Sequence, residues 1–103
     1  MNFLFHSFGH VMKIVETPVF KFYLKKVKDE NIIKRIEKVK EILLENPNHP
    51  SLQFKKISCK KEKSRYSIRV NQNYRILFNK ENDIYFFHCI CSHDEYDRIN
   101  KDC

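Results

Sequence analysis

Residues 65–78 read RYSIRVNQNYRILF, and this stretch decides how the chain folds. Tyr66, Ile68 and Val70 alternate with polar residues, a polar Asn-Gln-Asn follows, and β-forming residues resume at Tyr74. Alternation with a period of two around a polar break predicts an antiparallel hairpin that has one apolar face and one face carrying arginines. The fixed donors and permanent charge of arginine suit phosphate binding, although ordinary solvated arginines would give the same pattern.

The spacing of Arg69 and Arg75 limits the loop lengths that would bring the two arginines together in this hairpin. Residues that oppose each other in an antiparallel pair share a face of the sheet. The two arginines can meet only if the loop between them has an odd number of residues or contains a bulge. We therefore predict an odd loop centred near Asn73. A two-residue Gln72-Asn73 turn would instead pair Val70 with Arg75 and separate the arginines.

Length and composition indicate one domain with a single hydrophobic core, because the chain has 103 residues and 14% of them are aromatic. No stretch approaches the roughly 18 consecutive apolar residues of a membrane span. The first ten residues lack the features of a secretory signal, so we expect a cytoplasmic protein. Residues 1–11 are treated as an extension of uncertain status, for which an added strand and a partner-binding arm are equally open. The domain is assigned to residues 12–103.

The cysteines and glycines argue against cofactors. Four cysteines fit no metal-site spacing, namely Cys59, Cys89, Cys91 and Cys103. Reduced thiols are expected for a chain without an export signal. Gly9 is the only glycine in the sequence, which excludes the glycine-rich loops that cradle nucleotide phosphates. Neither a metal nor a small-molecule cofactor is therefore expected.

Positive charge is concentrated in the middle of a chain whose net charge is +7. Residues 55–80 carry nine lysines and arginines against one acidic residue, whereas residues 81–103 carry two against six. A concentrated positive field attracts polyanions such as nucleic acids, although a lysine-rich loop is often only solvated. The candidate RNA- or ribosome-binding residues of this segment are Lys55, Lys56, Lys60, Lys61, Lys63 and Arg65.

The first half of the chain predicts one strand and two helices. Residues 11–16 have the pattern of a strand, and Thr17 followed by proline is typical of a helix start, so the first helix is expected over residues 18–28. Asp29 can cap a second helix that ends at Asn46. The apolar stripe of that helix, which we expect in the core, consists of Ile32, Ile36, Val39 and Leu43.

The second half of the chain predicts strands. They are expected at residues 53–58, within the hairpin and at residues 83–91, before a short turn or helix at residues 94–100. The order βααββββ is an α+β arrangement. Two helices would cover one face of a mainly antiparallel sheet of four to five strands and leave the other face concave and open.

Histidines are the candidate proton-transfer groups. His93 directly follows the last predicted strand, with Tyr96 close behind it, and imidazole exchanges protons near neutral pH. Taken in isolation, the residue is better explained as a solvent-exposed histidine without function. His49 lies in a proline-rich turn, where a minor positioning role competes with no role. His88 is interpreted as structural. Strand alternation places it opposite the side that His93 shares with Tyr85, Phe87, Cys89 and Cys91.

Four segments resemble the RelE/ParE toxin superfamily of bacterial toxin–antitoxin modules: VETPVFK from Val15, ENPNHPSL from Glu45, YSIRVNQNYRILF in the hairpin, and SHDEYDR from Ser92. The resemblance covers residues 12–100. It implies the βααββββ fold and, for RelE-like branches, a ribosome-dependent endoribonuclease that needs no metal and cuts mRNA in the decoding site, beside 16S ribosomal RNA. It also implies a cognate antitoxin protein that wraps the toxin and blocks its site.

Position by position, the resemblance implies catalytic roles. Arg75 matches the hairpin arginine that is aimed at the scissile phosphate, and Arg69 matches a basic position on the preceding strand. His93 matches a histidine that would act as general acid, Tyr96 a tyrosine that can stack on a base, and Ser67 a position where some members place a second lysine. The products would carry 2′,3′-cyclic phosphate and 5′-hydroxyl ends. The general base is left open among Lys55, Lys56, His49 and Asp94.

The end of the chain departs from the family pattern. Several RelE-like members carry a basic C-terminal cluster, whereas this tail carries Asp94, Glu95, Asp97 and Asp102. Two other functions therefore stay open. A ParE-like DNA gyrase inhibitor would act by protein binding alone, and the C-terminal histidine argues against it. A non-catalytic basic RNA-binding domain would bind in a salt-sensitive manner without cleaving.

Overall fold

A computed structural model of the chain describes residues 11–101. Most of the uncertain extension, as well as Asp102 and Cys103, lies outside the described residues. The elements in chain order are β1 Lys13–Glu16, α1 Pro18–Lys25, α2 Glu30–Glu45, a 3-10 helix Pro50–Leu52, β2 Lys55–Lys56, β3 Arg65–Arg69, β4 Tyr74–Glu81, β5 Ile84–Ser92 and α3 His93–Asn100. The predicted order βααββββ and the α+β class are confirmed.

The strands form one sheet in the order β1-β5-β4-β3-β2. β1 runs parallel to β5, and every other neighbouring pair is antiparallel. Antiparallel neighbours need only short turns, whereas the parallel pair needs a long connection. The chain from α1 to β4 supplies that connection. Among residues 11–101, no helix combines the length and apolar character that crossing a membrane requires.

Both early helices begin where the sequence predicts. The Thr17 hydroxyl oxygen accepts a hydrogen bond from the Phe20 N–H at 3.2 Å, and the same hydroxyl donates to the Phe87 carbonyl oxygen at 2.7 Å. Asp29 caps α2 by accepting from the Asn31 N–H at 2.8 Å. α1 ends at Lys25, three residues before its predicted end, and its last residues remain packed against the core. The Thr17 contacts fix α1 against β5.

The apolar core lies between these helices and one face of the sheet. Phe20 from α1 meets the ring of Phe87 on β5, with ring centroids 5.3 Å apart. The predicted stripe of α2 faces the same core, where Ile36, Val39 and Leu43 are buried and Ile32 is partly buried. We call this side the helix-covered face and the opposite side the open face. Among residues 11–101, the short helix α3 packs against the open face, and Tyr23 of α1 reaches the edge of the same cluster.

A bulge in β5 corrects one prediction made from alternation. Phe78 on β4 pairs with Phe87, but its neighbour Leu77 pairs with Cys89, so His88 is an extra residue in β5. Tyr85 and Phe87 therefore lie on the helix-covered face, whereas Cys89 and Cys91 lie on the open face with Leu77 and Tyr96. The prediction that all four share a side with His93 is wrong, because one extra residue reverses the alternation beyond it.

Two further expectations are corrected at the open face. The strand predicted at residues 53–58 is limited to Lys55–Lys56, because a 3-10 helix ends immediately before it and Gln53 adopts a left-handed conformation with φ 44°. The side chains of Cys89 and Cys91 point the same way, and the structure joins them as a disulfide with Cα atoms 5.9 Å apart. The prediction of reduced thiols is therefore corrected for Cys89 and Cys91.

Candidate active site on the open face

The hairpin turn brings the two arginines opposite each other. Arg69 pairs with Arg75, and the Val70 N–H donates to the Tyr74 carbonyl oxygen at 2.9 Å. The predicted odd loop is confirmed, although its centre is Gln72 rather than Asn73. The residue that closes the turn is Asn71, which sequence reasoning did not identify. Its Oδ1 accepts from the N–H groups of residues 73 and 74 at 2.8 and 2.9 Å, a pattern typical of asparagine in turns.

Arg75 is held by three hydrogen bonds to neutral acceptors. Its Nε donates to Ser67 Oγ at 3.1 Å, its Nη2 to the Gln53 carbonyl oxygen at 2.7 Å, and its Nη1 to Gln53 Oε1 at 3.4 Å. The left-handed conformation of Gln53 turns its carbonyl group toward the guanidinium. Three of the five N–H donors of this side chain are thus used for orientation, which leaves two for a ligand.

The charge of Arg75 is not balanced by a carboxylate in any ion pair that the described part of the chain shows. Burial lowers the pKa of the Arg75 guanidinium, Tyr96 opposes this effect, and Arg69 adds to the lowering. An arginine nevertheless stays protonated in proteins. A half-buried cation with only neutral partners and a second cation beside it gains stability when an anion binds.

Tyr96 lies beneath Arg75 rather than at the surface. Its side chain is 9% exposed and packs with Leu77 and Cys91 on the open face. The guanidinium carbon of Arg75 is 5.8 Å from the Tyr96 ring centroid, within the range of a cation–π contact. The resemblance gave this residue a role in stacking on a base. Its burial leaves little ring surface for a base, and the contact that the structure describes is support of Arg75.

His93 bridges α3 and the hairpin loop. It is the first residue of α3, whose start is fixed by a capping box between Ser92 and Glu95. The His93 Nε2 is 2.6 Å from the Gln72 carbonyl oxygen. Because a carbonyl only accepts, Nε2 carries the hydrogen of this bond and Nδ1 is left to exchange a proton. The capping box also gives a structural reason for Glu95, one of the acidic residues that depart from the family pattern.

Arg75 and His93 line two adjoining cavities. One has a volume of about 270 Å³ and includes Arg69 and residues 71–72 of the loop. The other, of about 300 Å³, includes Lys55 and Tyr96. The first is slightly smaller than the usual small-molecule pocket, and the second lies at the lower end of that size range. A cleft of this size fits one unit of a polymer better than a whole enclosed ligand.

The predicted RNA-binding residues separate into different groups. Lys55 lines the cavity of Arg75 and His93. Lys56 points to the other side of β2, where its Nζ bonds to the Lys63 carbonyl oxygen and lies 4.7 Å from the Tyr66 ring centroid. Ser67 is fully buried and accepts from Arg75, so its assignment to RNA contact is corrected to a role in orienting the arginine. The remaining candidates, Lys60, Lys61, Lys63 and Arg65, line neither cavity.

The site also contains an acidic residue that sequence reasoning did not single out. Asp97 lines the cavity of about 300 Å³ with Arg75 and His93. It lies four residues after His93, and that spacing places two side chains on the same face of a helix, so the signal was present in the sequence. Of the four candidate general bases, Lys55 is the one that lines this cavity. Asp94 and Lys56 line neither cavity, and the Nδ1 of His49 accepts from the Ser51 N–H at 3.1 Å.

Comparisons with known proteins agree with this architecture. No curated protein matches the chain. The structure is similar to that of YafQ from E. coli strain BL21(DE3), with a TM-score of 0.67 at 10% identity over 81% of this chain and 94% of that one. It is also similar to a chain of the RelB–RelE antitoxin–toxin complex from Methanococcus jannaschii, with a TM-score of 0.59 at 27% identity over 82% and 96% of the two chains. Residues 30–98 match the ParE-like toxin domain, and the chain therefore belongs to this family of the RelE/ParE toxin superfamily.

Proposed function

We propose that this protein is the toxin of a type II toxin–antitoxin module and acts as a ribosome-dependent endoribonuclease that cleaves mRNA and so inhibits translation. The observation that carries the proposal is the shared cavity of Arg75 and His93, with Arg69 beside them. A fixed cationic group next to a proton-transfer group is the combination that RNA transesterification needs. No metal ion takes part in the proposed reaction.

The proposed reaction breaks one phosphodiester bond. The ribose 2′-oxygen loses its proton and attacks the adjacent phosphorus, the bond from phosphorus to the 5′-oxygen breaks, and that oxygen takes up a proton. The products are a 2′,3′-cyclic phosphate and a 5′-hydroxyl end. Arg75 and Arg69 stabilise the charge that develops on the phosphoryl oxygens, and loss of one such donor typically costs about 10²–10³ in rate.

The two proton transfers are assigned to His93 and Asp97. The Nδ1 of a protonated His93 would donate to the leaving 5′-oxygen, since its Nε2 is engaged by the Gln72 carbonyl. Asp97 accepts the proton of the 2′-hydroxyl. Among the residues of this cavity it is a better candidate than Lys55, because an ionised carboxylate has free lone pairs whereas an ammonium group has none.

The likeness to solved toxin–antitoxin complexes supports one partner, an antitoxin. The RelB–RelE complex from Methanococcus jannaschii and the DinJ–YafQ complex from E. coli each join a toxin to an antitoxin. We extend this assembly to the present chain, which would bind a cognate antitoxin protein in the cytoplasm. Its substrate context would be mRNA in the decoding site of the ribosome, beside 16S ribosomal RNA.

The test is cleavage of mRNA on programmed ribosomes, with 5′ ends mapped by primer extension. Arg75→Ala is expected to lower the cleavage rate by about 10² or more. His93→Gln keeps a side-chain N–H that can reach the Gln72 carbonyl but cannot donate a proton to the leaving group, so it should lower the rate to a similar extent. Lys38→Ala, which removes a cation from the exposed side of α2 far from the cavities' lining residues, serves as the control and should cleave like the wild type.

Three outcomes would contradict the proposal. Full cleavage by both Arg75→Ala and His93→Gln would remove the mechanism. DNA damage with intact translation in cells that produce the protein would point to a gyrase inhibitor. Salt-sensitive RNA binding without cleavage would leave a non-catalytic RNA-binding domain.

A further inference from the structure

The hairpin loop, residues 71–73, is held by two helices that lie on opposite sides of the sheet. On the open face, the Gln72 carbonyl oxygen is 2.6 Å from His93 Nε2 at the start of α3. At the strand residue just before the loop, the Val70 carbonyl oxygen accepts from Arg35 Nε of α2 at 3.0 Å. α2 packs on the helix-covered face. The loop therefore connects a residue of α2 with the candidate general acid.

The Val70 carbonyl needs a donor from outside the hairpin. In a regular antiparallel ladder the Tyr74 N–H would donate to it, because the Val70 N–H already donates to the Tyr74 carbonyl oxygen at 2.9 Å. Here the Tyr74 N–H donates instead to Asn71 Oδ1 at 2.9 Å. Val70 is buried, and a buried carbonyl without a partner costs free energy. Arg35 supplies the donor that the asparagine turn takes away.

We propose that Arg35 is a positioning residue of the candidate active site, which fixes the hairpin loop so that the Gln72 carbonyl holds His93 with its hydrogen on Nε2. The inference rests on the proposed function for the role of His93 as general acid. Arg35 lines neither cavity of the site and acts through the Val70 carbonyl. Once the loop moves, Nε2 loses its acceptor, and the imidazole is free to turn or to change tautomer.

This role of Arg35 concerns His93 and leaves Arg75 unaffected. The guanidinium of Arg75 is oriented by Ser67 and Gln53, neither of which belongs to the loop. Loss of the Arg35 contact should therefore misplace the proton-transfer group and keep the phosphate contact. In kinetic terms, kcat falls while KM keeps its value, because the lost interaction serves the chemical step and not substrate binding.

The first test is a matched pair of substitutions at Arg35, which is partly exposed and so tolerates exchange. Arg35→Met has no donor, whereas Arg35→Gln carries an N–H at the side-chain position of the arginine Nε. Both lose the charge, so a difference between them isolates the hydrogen bond to Val70. On programmed ribosomes, Arg35→Met should lower kcat about tenfold with KM unchanged, and Arg35→Gln should restore most of the rate.

The control for the first test is Lys34→Met, which removes an exposed cation from the same helix and should cleave like the wild type. A wild-type kcat in Arg35→Met would overturn the inference. An equal loss in Arg35→Met and Arg35→Gln would also overturn it, since the charge and not the hydrogen bond would then be responsible.

The second test observes His93 directly and does not depend on cleavage. Long-range proton–nitrogen NMR spectra at alkaline pH distinguish the two neutral tautomers of a histidine. In the wild type and in Arg35→Gln, the hydrogen of His93 should be on Nε2, whereas Arg35→Met should give a mixture of tautomers. An unchanged spectrum in Arg35→Met would refute the inference whether or not the wild type cleaves RNA. A mixture in a protein that proves not to be a nuclease would support the role of Arg35 and contradict the proposed function alone.

Discussion

The two faces of the sheet are built from the same strands and each carries a buried apolar cluster, but the open face also holds the polar groups of the candidate site. On the helix-covered face, Phe78 is in contact with four aromatic rings, and its ring centroid lies 5.4 Å from that of Tyr85 and 5.8 Å from that of Phe87. On the open face, the neighbouring strand positions carry Ser67 and Arg75 joined by a hydrogen bond. Since successive strand residues point to opposite faces, one alternating sequence supplies both surfaces.

The helix-covered face mainly stabilises the fold, whereas the open face holds the groups of the candidate site. The helix-covered face gains free energy from buried apolar area, which is roughly additive and tolerant of geometry. The open face depends on the direction of a few polar groups, such as the Gln53 carbonyl that fixes Arg75. Substitutions in the core of the first face are therefore expected to change folding, and substitutions of the polar groups that orient Arg75 on the second to change function with the fold intact.

The largest effect is expected for Phe78→Ala on the helix-covered face. Its ring is fully buried, so the change removes apolar contacts and leaves a cavity, at a cost of about 3–5 kcal/mol in the free energy of unfolding. Urea denaturation followed by circular dichroism measures this. Phe22→Ala is the control, because that ring on α1 is 57% exposed. If both variants lost equal stability, the assigned core would be wrong.

A smaller effect, on activity rather than stability, is expected at Gln53. Gln53→Val places a β-branched residue where φ is positive, which displaces the carbonyl oxygen that accepts from Arg75 Nη2. The mRNA cleavage rate kcat should fall about tenfold or more, since misorientation of one stabilising donor has effects of this order. Gln53→Gly tolerates the same backbone conformation and should retain most of the activity. Loss of cleavage in the glycine variant as well would show that the side chain, not the backbone, is needed.

Next in size is the anchor between α1 and the sheet. Thr17→Ala removes a helix cap and the hydrogen bond to the Phe87 carbonyl oxygen, and it should lower the free energy of unfolding by about 1 kcal/mol. Thr17→Ser keeps the hydroxyl and should lie close to the wild type in the same urea titration. Cleavage by Thr17→Ala is expected to be unchanged where the protein is folded. A change in cleavage would mean that the two faces are coupled.

The smallest effect is expected from His88 at the bulge. Burial lowers its pKa below the ordinary value of 6.5, Arg65 adds to the lowering, and Glu62 and Glu81 oppose it. The unfolded chain therefore takes up a proton at a higher pH than the folded protein. The neutral form of His88 therefore favours the folded state above pH 6.5, and this stabilisation is lost as the pH falls toward the pKa of His88 in the folded protein. The decline in unfolding free energy over that range should be shallower in His88→Gln than in the wild type, as urea titrations at several pH values would measure.

Much of the fold was accessible from periodicity because it depends on local pattern. The α2 stripe, its Asp29 cap and the register of Arg69 with Arg75 all follow from spacing within one or two elements. The extra residue at His88 was not accessible, since a bulge is fixed by how β5 meets β4 rather than by β5 alone. The left-handed Gln53 was equally hidden, because glutamine has no preference for that conformation.

The candidate site shows the same division. Sequence reasoning identified Arg75 and His93, because a guanidinium and an imidazole group are common catalytic groups. The structure places both at one cleft. It missed Gln53 and assigned Ser67 to RNA, because orienting groups are ordinary polar residues that distant parts of the chain bring to the arginine. Asp97 was mentioned only as part of an unfavourable tail, although its spacing from His93 placed it on the same helix face.

The parallel pairing of β1 with β5 has a consequence for how the protein is made. Thr17 contacts Phe87, 70 residues further along the chain, and translation at roughly 5–20 residues per second delays that partner by about 4–14 seconds. α3 begins where β5 ends, so Arg75 acquires its histidine neighbour only after the last strand has left the ribosome. The surface that holds Arg75 and His93 is therefore among the last parts of the described chain to be completed during synthesis.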